Sequence, residues 1–139
     1  MNENELTGLL ESLRRMGSDD LSVEVKESAM TLSRDVWETV SAFANTAGGI
    51  IVLGVSERAG FVPVANFETE KVLNQFVAGM GDAGGRGKLA NPPKYTIERV
   101  GLRGTVVLVI TIEELDPSSK PCYVIERGAQ GGSYKRIDD

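Results

Sequence analysis

From Asp35 to Ala47, apolar side chains fall at Val36, Trp37, Val40, Phe43, Ala44 and Ala47, the spacing of one helical face. Asp35 or Ser33 is placed to cap the start, and Glu38 follows Asp35 at capping-box spacing. Gly48 and Gly49 close the helix, because the residue past a helix end often needs positive φ, which glycine adopts at little cost. Ile50–Val55 then runs almost unbroken in apolar, mostly β-branched residues, the pattern of a strand covered on both faces. A helix passing through two glycines into an enclosed strand predicts an α/β or α+β core.

The same period recurs on both sides of this unit. Glu5–Met16 sets Leu6, Leu9, Leu10 and Leu13 on one face and predicts an amphipathic helix. Ser18–Asp20 is a turn cluster, and Leu21–Lys26 alternates as a half-buried strand. Ser56–Gly60 is a polar turn, and Phe61–Phe67, broken by Pro63, is at most an edge strand. Phe67–Met80 aligns Val72, Leu73, Phe76, Val77 and Met80 in a further helix, with Glu68 and Glu70 where the dipole favours anions. Gly81–Pro93 is the longest loop. Lys94–Val100 and Thr105–Ile112 predict a hairpin about Gly101–Gly104, the second strand central. Pro121–Ile125 and Ser133–Ile137 predict a last hairpin around Gly128–Gly132. The expected class is α+β: a mixed β-sheet packed against two main helices plus an N-terminal helix, with terminal β-hairpins. One domain spans residues 1–139.

Composition narrows the chemistry. There is no histidine, which excludes histidine triads, histidine bases and histidine metal ligands. The lone Cys122 cannot form an internal disulfide and sits in an apolar strand as a small hydrophobe. No apolar run could span a bilayer, and the N-terminus lacks a secretory pattern. These features predict a cytoplasmic chain without a membrane partner. The net charge is −5, unlike the basic footprint of a stand-alone DNA binder. The charge is uneven, however. Residues 1–24 hold six carboxylates against two arginines, whereas residues 71–104 hold six cations against two carboxylates.

The stretch SAFANTAGGIIVLGV (Ser41–Val55) resembles the signature of the Schlafen AlbA-type domain, an Alba-like domain of bacterial transcriptional regulators. VEVK (Val23–Lys26) is similar to that family's Glu-aromatic-Lys strand, with Val25 at the aromatic position. KPCYV (Lys120–Val124) and GGSYKRI (Gly131–Ile137) resemble its closing strands. The likeness spans roughly Leu21–Ile137. It implies a DNA-binding module at the front of a longer regulator, followed by further C-terminal domains. Some eukaryotic Schlafen proteins use this fold as an RNA-cutting nuclease with three carboxylates. The resemblance places Asp19 and Glu24 at two of those positions, but Ser56 at the third, beside Glu57. It thus implies a metal-dependent nuclease of Asp19, Glu24 and Glu57 as an alternative function, weakened by the serine.

The residues themselves favour contact over catalysis. The order helix–glycines–strand is the reverse of a phosphate loop, and no Walker-type lysine motif exists, so no nucleotide cofactor and no metal is expected. Asn45, polar in the last turn of a buried helix, is expected to tie the helix end to a neighbouring segment. Trp37 and Phe43 belong to the apolar face and to the core. Lys26, Arg34, Arg86, Lys88, Lys94, Arg99, Arg103, Lys135 and Arg136 form the basic set. From it Lys26, Arg86, Lys88, Arg103, Lys135 and Arg136 are the expected nucleic-acid contacts, since lysine and arginine at phosphates supply affinity without sequence preference. A third possibility is a dimerisation or sensor module without nucleic-acid contact, such as a homodimer, motivated by the leucine stripe of Glu5–Met16, a face that covers either the core or a partner.

Overall fold

The computed structural model describes residues 1–16 and 22–136. In chain order the elements are α1 (Glu3–Met16), β1 (Val23–Lys26), α2 (Val36–Asn45), β2 (Gly49–Leu53), β3 (Val55–Ser56), β4 (Val62–Pro63), α3 (Thr69–Gly79), β5 (Leu89–Ala90), β6 (Tyr95–Leu102), β7 (Thr105–Ile112), β8 (Tyr123–Val124) and the single turn α4 (Gly128–Gly131). The fold is α+β. A four-stranded sheet in the order β1-β2-β7-β6 is the middle layer. β1 runs parallel to β2, and the other pairings are antiparallel.

Alternation along the strands sorts the core into two halves. Ile51 and Leu53 of β2, with Leu108, Ile110 and Ile112 of β7, face α2 and α3. Val52, Val107 and Val109 point the opposite way, toward α1. Leu6, Leu10 and Leu13 of α1 are at most 3% exposed against Val23, Val25, Val100 and Leu102. Each contributes about 1.5–3 kcal/mol by leaving water. Of the two roles open to the leucine stripe, core or partner, it covers the chain's own sheet.

The twin glycines serve separate needs. Gly48 has φ +72°, and its N–H donates to the Phe43 carbonyl at 2.8 Å, closing the end of α2. Gly49 already belongs to β2, and a Cβ there would lie 2.5 Å from the Phe43 ring. The first glycine meets a backbone demand and the second a packing demand.

Several details differ from the sequence pattern. Neither Asp35 nor Ser33 caps α2 with its side chain: Asp35 makes no cap bond, and the Ser33 hydroxyl is 2.8 Å from that of Ser28. The β6–β7 link tightens to Arg103-Gly104, both at positive φ, as a two-residue hairpin turn requires. The stretch Gly81–Pro93 is interrupted by β5, which pairs with β8. The closing hairpin shrinks to one bridge between Tyr123 and Ser133, because residues 125–131 wind into short helical turns.

Candidate functional site

Parallel β1 and β2 joined by α2 place both strands' carboxyl ends and the start of the helix at one end of the sheet. An open cleft of about 390 Å³ lies there. Its charged lining is Glu24, Lys26, Glu27, Asp35, Glu57 and Arg58. Strand alternation explains the set. Val23 and Val25 turn toward α1, so Glu24 and Lys26 turn toward α2.

The floor of the cleft is an ion-pair network. The Lys26 side chain is 8% exposed, with Nζ 3.2 Å from Asp35 Oδ1 and 3.6 Å from Glu24 Oε1. Arg136 donates to Glu24 Oε2 at 2.6 Å and lies 4.9 Å above the Phe43 ring. At the rim Arg58 is 3.6 Å from Glu27. Glu57 is exposed and has no ion pair among the described residues.

Two of the three candidate nuclease carboxylates, Glu24 and Glu57, thus line one cleft, while Asp19 lies outside the described residues. The set fits a hard cation poorly. The Glu24 carboxylate already serves Arg136 and Lys26. The Ser56 hydroxyl, at the third acidic position, is buried and accepts the Ala59 N–H at 3.1 Å, holding the turn closed. Among the described residues no group of three His, Cys, Asp or Glu side chains is arranged to hold a metal.

The expected nucleic-acid contacts divide by environment. Lys26 and Arg136 are engaged in the network just described. Arg86, Lys88, Arg103 and Lys135 are exposed and make no ion pair among the described residues. The loop carrying Arg86 and Lys88 is pinned at its base. The Lys88 N–H donates to the Gly79 carbonyl at 2.7 Å, and the Lys88 carbonyl accepts from Ile125 at 3.0 Å. Arg103 sits at the opposite end of β6 from Lys94. A strand of that length spans ~26 Å, so Arg103 and Lys94 do not converge on one point. Arg99 is committed to Glu70 through two bonds of 2.7 and 2.8 Å. The guanidinium holds that carboxyl below its ordinary range.

Asn45 ties the C-terminal segment to α2. Its Nδ2 donates to the carbonyls of Cys122 and Tyr134, each at 2.9 Å, and its Oδ1 accepts the Cys122 N–H at 2.8 Å. Ser41, which the hydrophobic pattern did not single out, donates to the Cys122 carbonyl at 2.8 Å and accepts from Tyr134 N at 3.1 Å. Burial pushes the Cys122 thiol up to about 12. The pattern also missed Glu27, Ser33, Asp35 and Arg58 as cleft residues. The signal available was the strand–helix–strand order itself, since clefts form where parallel strands end.

The solution structure of the N-terminal domain of an ATP-dependent DNA helicase RecG-related protein from Nitrosomonas europaea is similar to this chain. The two are 29% identical, with a TM-score of 0.68, over 96% of this chain and 88% of that one. A Corynebacterium diphtheriae protein is 16% identical over 88% of this chain and 24% of its own length, with a TM-score of 0.47. No curated protein sequence matches. The family described as Schlafen, AlbA_2 matches residues 19–139, and the chain belongs to that family.

Proposed function

We propose that this chain is a nucleic-acid-binding module, with DNA as its polymer, carried at the front of a longer transcriptional regulator. Family membership supports the nucleic-acid reading, as does the likeness to a domain of a protein named as helicase-related. The observation that carries it is the pinned loop presenting Arg86 and Lys88, two exposed cations with no ion pair among the described residues. Arg103 and Lys135 add exposed charge elsewhere on the rim. Phosphate contacts of this kind bind without sequence preference and weaken as salt displaces them.

Fluorescence anisotropy of labelled duplex and single-stranded DNA at low and moderate salt tests the reading. The double variant Arg86→Ala/Lys88→Ala should bind more weakly, its salt slope shallower by about two phosphate contacts' worth. Absence of binding at both salt concentrations, or an unchanged slope in the double variant, would refute it. A nuclease reading draws on Glu24 and Glu57 sharing a cleft, but the engaged Glu24 carboxylate argues against it. Structured RNA and DNA should survive incubation with magnesium or manganese. Cleavage abolished by Glu24→Ala would reinstate that activity.

A further inference from the structure

The four-stranded sheet ends in an open edge. β6 is its outer strand, eight residues long, and it pairs with β7 alone. The tight turn at Arg103-Gly104 makes Leu102 and Thr105 a mutually bonded pair. Counting back by twos, Val100, Glu98 and Thr96 also bond to β7, and the Glu113 N–H donating to the Lys94 carbonyl at 3.0 Å continues the series. The backbone N–H and C=O groups of Tyr95, Ile97, Arg99 and Gly101 therefore point outward. None of these groups has a hydrogen bond among the described residues. Protected edges are short, bulged, broken by proline or lined with repelling charge. β6 is long, keeps one register from Tyr95 to Leu102 and contains no proline. Its two charges are answered within the chain: Arg99 by Glu70 of α3 on one face, and Glu98 by the N-terminal ammonium ahead of α1 on the other.

We propose that a second copy of this chain adds its β6 antiparallel to this edge, joining the two sheets about a two-fold axis at Ile97. The sequence of the edge selects both the occupant and the register. An axis at Glu98 would set two carboxylates face to face, and one at Arg99 two guanidinium groups. An axis at Thr96 would set Arg99 against Pro93, which has no N–H to give. An axis at Val100 would reach the turn, where Glu3 already takes the Arg103 N–H at 3.0 Å. The axis at Ile97 places Thr96 opposite Glu98 and Tyr95 opposite Arg99, a hydroxyl beside a carboxylate and a ring beside a guanidinium. It also lays the half-buried Ile97 against its mate, extending the core that faces α2 and α3. Eight residues a side is fewer than the roughly 20–30 of a standing interface, so the pairing is reversible and follows concentration. The pairing stands apart from the loop contact. It has one consequence that rests on the nucleic-acid reading: the second copy's Arg103 comes to the end of β6 that carries Lys94.

The test uses the chain without nucleic acid at physiological salt, where repulsion between these ends is screened beyond about 8 Å. Sedimentation mass and amide hydrogen exchange are followed from micromolar to millimolar protein. The mass should rise toward two copies, and the Ile97 and Arg99 amides should change from fast to slow exchange, while Glu98, bonded to β7, stays slow throughout. Thr96→Lys, facing Glu98 of the other copy twice, should tighten the dimer about tenfold, and Thr96→Glu should loosen it by a similar factor. Both changes are at an exposed position. Asn74→Lys, the same charge change on exposed α3, should leave the mass curve where it is. A single-copy mass for both the parent and Thr96→Lys at the highest concentration would overturn the inference. So would a dimer whose Ile97 and Arg99 amides remain fast, or one that answers Thr96→Lys and Asn74→Lys alike, since it would use another surface. If the edge amides slow only when an alternating valine–threonine peptide is added, the edge belongs to a foreign strand and the second copy is excluded.

Discussion

Replacing Asn45 by alanine removes one side chain and strips partners from three backbone groups. The Cys122 N–H loses its 2.8 Å acceptor, and the Tyr134 carbonyl loses its 2.9 Å donor. The Cys122 carbonyl keeps the Ser41 hydroxyl at 2.8 Å and so loses less. A buried group left unsatisfied costs about 1–3 kcal/mol. Two such groups, partly relieved by local relaxation, give an expected loss of about 3 kcal/mol. For a chain of this length that lowers Tm by about 10 °C. Urea unfolding followed by tryptophan fluorescence measures the stability change, and hydrogen exchange at the Cys122 amide localises it. Asn45→Asp provides a second test. It retains an acceptor for Cys122 N–H but sets a carboxylate against two carbonyls, so it should cost at least as much at neutral pH. A loss below about 1 kcal/mol, or a Cys122 amide exchanging as in the parent, would refute the claim that Asn45 holds the C-terminal segment.

A Cβ at Gly79 would sit 2.0 Å from the Trp37 ring, whereas at Gly8 it would meet nothing within 4 Å. Gly79→Ala should therefore destabilise by about 1–3 kcal/mol and shift tryptophan emission, while Gly8→Ala in α1 should stabilise by about 0.5–1 kcal/mol; the opposite signs in urea melts check both. Cys122 is fully buried with its thiol raised to about 12, so a disulfide reagent at pH 8 should react only as the chain unfolds, and rapid labelling of the native protein would contradict its placement. Burial, and then the 2.6 Å bond to Asp82, raises the Tyr95 phenol from 10.0 to about 12. Its folded-state pKa lies above the unfolded value, so its contribution to stability is complete below pH 10 and is lost as pH rises toward 12; Tyr95→Phe should flatten that part of the stability curve.

The central unit was legible because its signals are local. The period of Val36, Trp37, Val40 and Phe43 and the glycines after them need no distant partner to be read. The hairpin of β6 and β7 was legible for the same reason. What escaped was set by contacts far apart in the chain. β5 and β8 are two residues each and exist because they pair with one another, so neither shows a period. Asp35 looks like a helix cap in sequence, but Lys26 stands 3.2 Å away and takes its carboxylate. Lys26 and Arg136 counted as available cations by composition alone. The alternation that buries Val23 and Val25 under α1 also turns Glu24 and Lys26 into the cleft network. Arg58 followed no motif, and only the parallel pairing of β1 with β2 brings its turn beside them.

The layering constrains how any polymer meets this domain. The central strand residues Val52, Val107 and Val109 are covered by α1, and Ile51, Leu108 and Ile110 by α2 and α3, so the middle of the sheet offers no open face on which bases could stack. Contact is left to the rim. There the exposed cations occupy separate ends: Arg86 and Lys88 on the loop that follows α3, and Arg103 at the far turn of β6. The ~26 Å length of β6 corresponds to roughly seven or eight base pairs of duplex at about 3.4 Å each. A duplex lying along the hairpin can reach both ends. An overall charge of −5 sets no obstacle to the proposed loop contact, because the relevant charge is that of the loop itself.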